Sequence, residues 1–132
     1  MENLIHVANG KALADIVLKN GYVINVFTEE IIQTDVAIIG NRIAALGDYE
    51  GKQTIDCTGK YIAPGFIDAH MHIESAMVTP LEFSKYALAK GTTTVFADPH
   101  ELVNVLGQKG LDFMLTSIEE TPMTTHIMMP SC

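Results

Sequence analysis

Tryptophan is absent from these 132 residues, cysteine occurs twice, and Lys plus Arg number 8 against 16 Asp plus Glu. Each shortage excludes something. Two thiols, Cys57 and Cys132, cannot build the disulfide framework of a small secreted scaffold, which fits a reducing cytoplasm. No basic group stands beside Cys57 in sequence to favour the thiolate, so it reads as an inert thiol. A net charge of −8 argues against nucleic acid or an anionic membrane surface as a partner. No apolar run approaches the roughly 18 residues that a membrane-crossing helix needs. Glu2 and Asn3 follow Met1 where a leader would carry basic and then apolar residues, so no signal peptide is expected. Hydrocarbon, in contrast, is plentiful. At 48% hydrophobic residues the chain has ample material for a core, and its length suits one ordinary domain.

The first half reads as strands. Leu4 to Ala8 forms a short helix or a packed tail ending at Asn9-Gly10. Residues 14–19 and 22–26 are rich in β-formers and flank Asn20-Gly21, a pair that tolerates positive φ, so a hairpin is expected there. Phe27 to Glu30 is a turn. Ile31 to Gln33 and Asp35 to Ile39 resume, and Gly40-Asn41 turns tightly into Arg42 to Gly47. Thr54 to Cys57 adds one more strand. These are meandering antiparallel strands without an ionisable cluster, and a structural β domain is the expectation for residues 1–62.

Beyond residue 62 the pattern changes to strand and helix in alternation. Phe66 to His70 is a strand, with Phe66 and Ile67 expected in a buried one. Thr79 is placed to cap a helix whose first residue is Pro80 and which stops at Gly91. Residues 92–97 are a β-branched strand. A helix follows that Gly107 and Gly110 kink or divide, and residues 125–130 make a third strand. The β-α-β-α-β order implies a parallel sheet with right-handed crossovers.

The residues that carry chemistry fall at or just past these strand ends. In Pro64 to Ser75 an apolar run leads into His70-Met71-His72. Alternation along a strand puts the two imidazoles on one face and Met71 on the other, an arrangement that can chelate a metal ion. Two packed or surface histidines would read the same way. Asp98, His100, Glu101 and Ser131 share the placement, as do Glu74 and Ser75. Competing structural roles are available: a helix N-cap for Asp98, helix N-terminal charges for Glu74 and Glu101, a satisfied loop histidine for His100. His6 and His126 read as structural, and Met128-Met129 as strand core.

The motif PGFIDAHMHIES at residues 64–75 resembles the first-strand signature of the amidohydrolase superfamily. DAHMHIESAMVTP at 68–80 and GTTTVFADPHELVNVLG at 91–107 together resemble the adenine deaminases of that superfamily. Ala76 departs from the pattern, standing where many of them carry a second serine. The resemblance implies an α/β fold: an incomplete N-terminal β-sandwich over residues 1–62, then the first β-α-β-α-β part of a TIM-type metal-dependent hydrolase barrel over residues 63–132. It implies that His70 and His72 bind one metal of a mono- or dinuclear centre, with manganese or iron favoured and zinc possible. It implies catalytic or substrate-binding roles among Glu74, Ser75, Asp98, His100 and Glu101. The reaction would be hydrolysis of adenine to hypoxanthine and ammonia in cytoplasmic purine salvage. With three of about eight barrel strands, the chain is expected to be the N-terminal portion of a longer enzyme and inactive alone. The full-length protein is expected to be a homo-oligomer. Other amidohydrolase activities, on a cyclic amide or an N-acetyl group, and a non-catalytic fragment are the alternatives.

Overall fold

The computed structural model describes residues 2–130. Ser131, expected to line the pocket, and Cys132 lie outside the described residues. The chain forms two compact units, residues 1–64 and 65–132.

The first unit begins with helix α1 (Glu2–Ala8), closed by Gly10 in the left-handed region, whose amide donates to the Val7 carbonyl. Strands β1 (Ala14–Asn25), β2 (Glu30–Ile39), β3 (Arg42–Leu46), β4 (Gly51–Asp56) and β5 (Tyr61–Ile62) make one sheet. Its order is β3-β2-β1-β4, with β5 also on β1. The β1–β2 and β2–β3 pairs are antiparallel, as the turn residues at 27–30 and 40–41 require. Strands β4 and β5 instead join β1 in parallel, so the sheet is mixed rather than a simple meander.

Asn20-Gly21 is not a hairpin. Strand β1 runs straight through it, and the ladder to β2 shifts register between Leu18 and Gly21. The residues that tolerate a reversal also tolerate a bulge. Asn20 takes φ 65° and its amide donates to Asp35 Oδ1 at 2.9 Å. Gly21 leaves room for Ile62, whose Cδ1 would lie 2.4 Å from a Cβ there and have to move. The long β2 pairs with β1 on both sides of the bulge, which outweighs the local turn preference.

The core of this unit is Val7, Ala14, Val17 and Ala37, with Ile39, Ala44 and Tyr49 packed against it. Tyr49 Oη donates to the Ala8 carbonyl at 2.8 Å and ties α1 to the sheet. Val36 and Ile43, each next in sequence to a core residue, point to the other face by strand alternation. They line an apolar groove with Val23, Leu46 and Ile62.

The second unit is a parallel sheet in the order β6-β7-β8, built from β6 (Phe66–Met71), β7 (Thr92–Ala97) and β8 (Thr124–Ile127). Helix α2 (Pro80–Ala89) crosses from β6 to β7, and α3 (His100–Leu106) with α4 (Gln108–Glu119) from β7 to β8. Thr79 caps α2 by accepting from the Glu82 amide, with Pro80 in the first turn as expected. Gly107, at φ 59° and ψ −139°, divides the second crossover into two helices. Gly110 lets them pack closely, since a Cβ there would lie 2.8 Å from the Leu102 carbonyl oxygen. Ile73, Ala97 and Met114 form the buried centre, joined by Met71, Phe83, Leu102 and Ile127. This is part of a TIM-type barrel with three strands among the described residues, where a closed barrel has eight.

Two expectations are corrected. Phe66 and Ile67 are 64% and 66% exposed: among the described residues β6 pairs only with β7, and its side chains are largely uncovered on both faces. Strand β8 stops at Ile127, short of the Pro130 that the apolar run suggested. Among the described residues no helix is long and apolar enough to cross a membrane.

Candidate metal centre

The ends of β6 and β7 bring the candidate residues together. Parallel pairing stops at Met71 and Ala97, and the Asp98 amide donates to the Met71 carbonyl at 2.9 Å. That bond puts the segment after β7 directly beside the segment after β6. The ladder is irregular between Asp68 and Met71, and the His70 amide donates to Asp68 Oδ1 at 3.2 Å. The rings of His70 and His72 meet edge to face, with centroids 4.9 Å apart and planes at 84°.

His70, His72 and Asp98 each offer one ligand atom, and these atoms all lie within 4.8 Å of one another. His72 Nδ1 sits 2.7 Å from the backbone oxygen of Asp98. A carbonyl only accepts, so Nδ1 of the neutral ring carries the proton and Nε2 keeps its lone pair. A second ring nitrogen held by a backbone carbonyl is how metal-binding histidines are commonly oriented. Asp98 Oδ1 is buried without a hydrogen-bond partner among the described residues. Two imidazoles and a carboxylate with an unsatisfied buried oxygen suit a divalent transition ion, whose bonds to such atoms are about 2.0–2.2 Å.

His100 is the first residue of α3. Its ring lies 4.6 Å from that of His72, and its Nδ1 is 3.3 Å from Asp98 Oδ2. Asp98 is not the helix cap: Pro99 occupies that position, and no side chain bonds to the helix start. Glu74 begins a single 3-10 turn, Glu74–Ala76. Both of its carboxylate oxygens are buried and without partners among the described residues. Ser75 Oγ donates to Glu101 Oε1 at 2.7 Å. The segments after β6 and β7 are thus linked in pairs: His72 and His100 to Asp98, and Ser75 to Glu101.

His126 stands apart, exposed and stacked on Phe96 at 4.7 Å. Sequence reasoning passed over Thr125, whose Oγ1 is also buried and unpartnered among the described residues. It lies in a β-branched strand, where threonine reads as a strand former, and no pattern distinguished it.

The chain is 54% identical over 130 residues to an adenine deaminase of Kosmotoga olearia, covering 98% of this chain and 22% of that protein. It thus spans less than a quarter of the curated relative it matches. Among solved structures, a Bordetella bronchiseptica N-acyl-D-glutamate deacylase complexed with zinc aligns with TM-score 0.57 and 28% identity, over 65% of this chain and 19% of that one. An Arthrobacter aurescens atrazine chlorohydrolase aligns with TM-score 0.69 over 86% of this chain and 35% of that one, at 19% identity, which speaks to the fold alone. The model of the amidohydrolase family matches residues 61–132. That match takes in both strand ends, the histidine pair and Asp98, and runs over more than half of the sequence: the chain belongs to the amidohydrolase family.

Proposed function

We propose that the intact protein carrying this chain is a metal-dependent adenine deaminase, converting adenine and water to hypoxanthine and ammonia. One observation carries the reading: His70, His72 and Asp98 converge from two adjacent strand ends with their donor atoms within 4.8 Å. The kinship with adenine deaminases supplies the substrate. His70 and His72 would hold the ion through imidazole nitrogens and Asp98 through its unsatisfied oxygen. Manganese or iron is the expected metal, with zinc as the alternative. A divalent ion so held supplies Lewis acidity that brings the pKa of water near 7.

In this reaction the C6–N bond of the purine breaks and a C6–O bond forms. Of the two protons of water, one ends on ring nitrogen N1 and one on the departing amine. Glu74 is the group we assign to carrying them, because a buried carboxylate without partners is free to accept and return a proton. His100, Ser75 and Glu101 are assigned to the substrate side of the mouth. The reading extends to a cytoplasmic homo-oligomer whose partner is adenine and neither nucleic acid nor membrane. It extends also to residues 1–62 as part of a sandwich and 63–132 as the start of the barrel.

The test is ammonia and hypoxanthine release from adenine by the intact protein supplied with Mn²⁺, Fe²⁺ or Zn²⁺. Turnover lost in H70A supports the reading. The likeness to N-acyl-D-glutamate deacylase favours a second one. Hydrolysis of N-acyl-D-amino acids with no ammonia from adenine would select it.

A further inference from the structure

The segments after β6 and β7 are joined by a short ladder. The Asp98 amide bonds to Met71 O, His72 Nδ1 to Asp98 O, and Ser75 Oγ to Glu101 Oε1. The second and third rungs each span 26 residues, so the two segments run in step from the metal donors outward. Ser75 lies as far past His72 as Glu101 lies past Asp98. Ile73 and Leu102 seat the two segments in the core, and the bond of Ser75 to Glu101 lies beyond them. The 3-10 turn that carries Ser75 is 3 residues long and has no side-chain cap. Helix α3, which carries Glu101, starts after Pro99 without a side-chain cap either.

We infer that Ser75 and Glu101 form a strut that positions the metal donors, holding the strand ends that carry His72 and Asp98 at chelating distance. This rests on the metal-centre reading given above. Ser75 is a positioning residue, acting on the ion through Glu101 and the two segments without touching it. A serine suits the place because its hydroxyl donates while the carboxylate only accepts. A carboxylate acceptor makes the bond charge-assisted and short. The strut matters where donors come from two separate segments, since a small spread between them removes one donor from reach.

The experiment is titration of the metal-free intact protein with Mn²⁺, followed by electron paramagnetic resonance, with the thermal midpoint of the metal-free form alongside. S75A is expected to bind Mn²⁺ about threefold more weakly, the order set by the loss of one exposed hydrogen bond. S75T keeps the hydroxyl and stays near the parent, whereas E101Q keeps an acceptor oxygen without the charge and falls between the parent and S75A. The pair S75T and S75V isolates the hydroxyl at equal shape, should S75A fold poorly. The double variant S75A/E101A is expected to be no weaker than either single change. Parent-like Mn²⁺ affinity in S75A and S75V would overturn the strut, as would losses that multiply in the double variant. A lowered midpoint with unchanged affinity would also overturn it, leaving an ordinary structural bond. H70A/H72A separates the two readings. If that variant binds Mn²⁺ like the parent, the metal centre itself falls. If it loses the ion while S75A does not, the strut alone falls.

Discussion

His72 donates through Nδ1 to the backbone oxygen of Asp98 at 2.7 Å, so one imidazole is both a tie between two strand ends and a candidate metal donor. The two duties belong to different nitrogens and can be separated. Asparagine places its amide nitrogen near where Nδ1 lies and has nothing at the Nε2 position. H72N is therefore expected to keep the thermal midpoint within a few degrees of the parent while losing Mn²⁺ binding. A variant that still binds Mn²⁺ with parental affinity would remove His72 from the donor set.

Glu74 gives a contrast. Its two oxygens are buried without partners among the described residues, a costly state for a carboxylate that no folding requirement explains. E74Q keeps the shape and removes the charge. The expected result is a midpoint equal to or above the parent's and a kcat on adenine lower by about 10²–10⁴-fold, the range for loss of a general acid–base group. Unchanged kcat would take the proton-carrying role from Glu74.

Packing of the second crossover is tested at Gly110. A Cβ there would approach the Leu102 carbonyl oxygen to 2.8 Å, and a backbone atom cannot rotate aside. G110A is expected to cost about 1–3 kcal/mol, as overpacking of a close contact does. Chemical denaturation of the intact protein measures it, and a neutral result would mean that α3 and α4 separate readily.

The first unit carries a pH dependence of its own. The Thr58 hydroxyl, then the Thr58 amide and the Asn20 side chain, hold Asp56 below the usual carboxylate range. Lys52 and the Gly40 amide do the same for Asp15. A carboxyl group depressed on folding stabilises the folded form above its unfolded pKa, about 3.9. That stabilisation is lost as pH falls from about 4 toward the lower folded values. The thermal midpoint is expected to drop across this window, and the drop to be shallower in T58A, which lacks the strongest contact to Asp56. Equal slopes in parent and variant would discount the Thr58 hydroxyl.

How far the sequence could be read depended on how local each signal was. Thr79-Pro80 specified the start of α2, and Gly107 the break between α3 and α4, because capping and backbone freedom are decided within a few residues. His70 and His72 were recognisable as a pair for the same reason. Asn20-Gly21 misled, since a bulge and a hairpin ask the same of a backbone and only the partner strand β2 decides between them. The parallel addition of β4 and β5 was invisible because pairing over such distances leaves no periodic trace. Asp98 looked equally suited to capping a helix. Its place beside the histidines depends on β6 and β7 ending level, which is a property of the sheet rather than of either motif.

The break at Gly107 leaves the second crossover in two jointed pieces. The longer piece seats Met114 in the hydrocarbon layer, while the shorter seats Leu102 there and carries His100 beside Asp98. Selection can thus re-dress the exposed face of the shorter piece, at positions such as Glu101, while Leu102 and Met114 keep the joint seated.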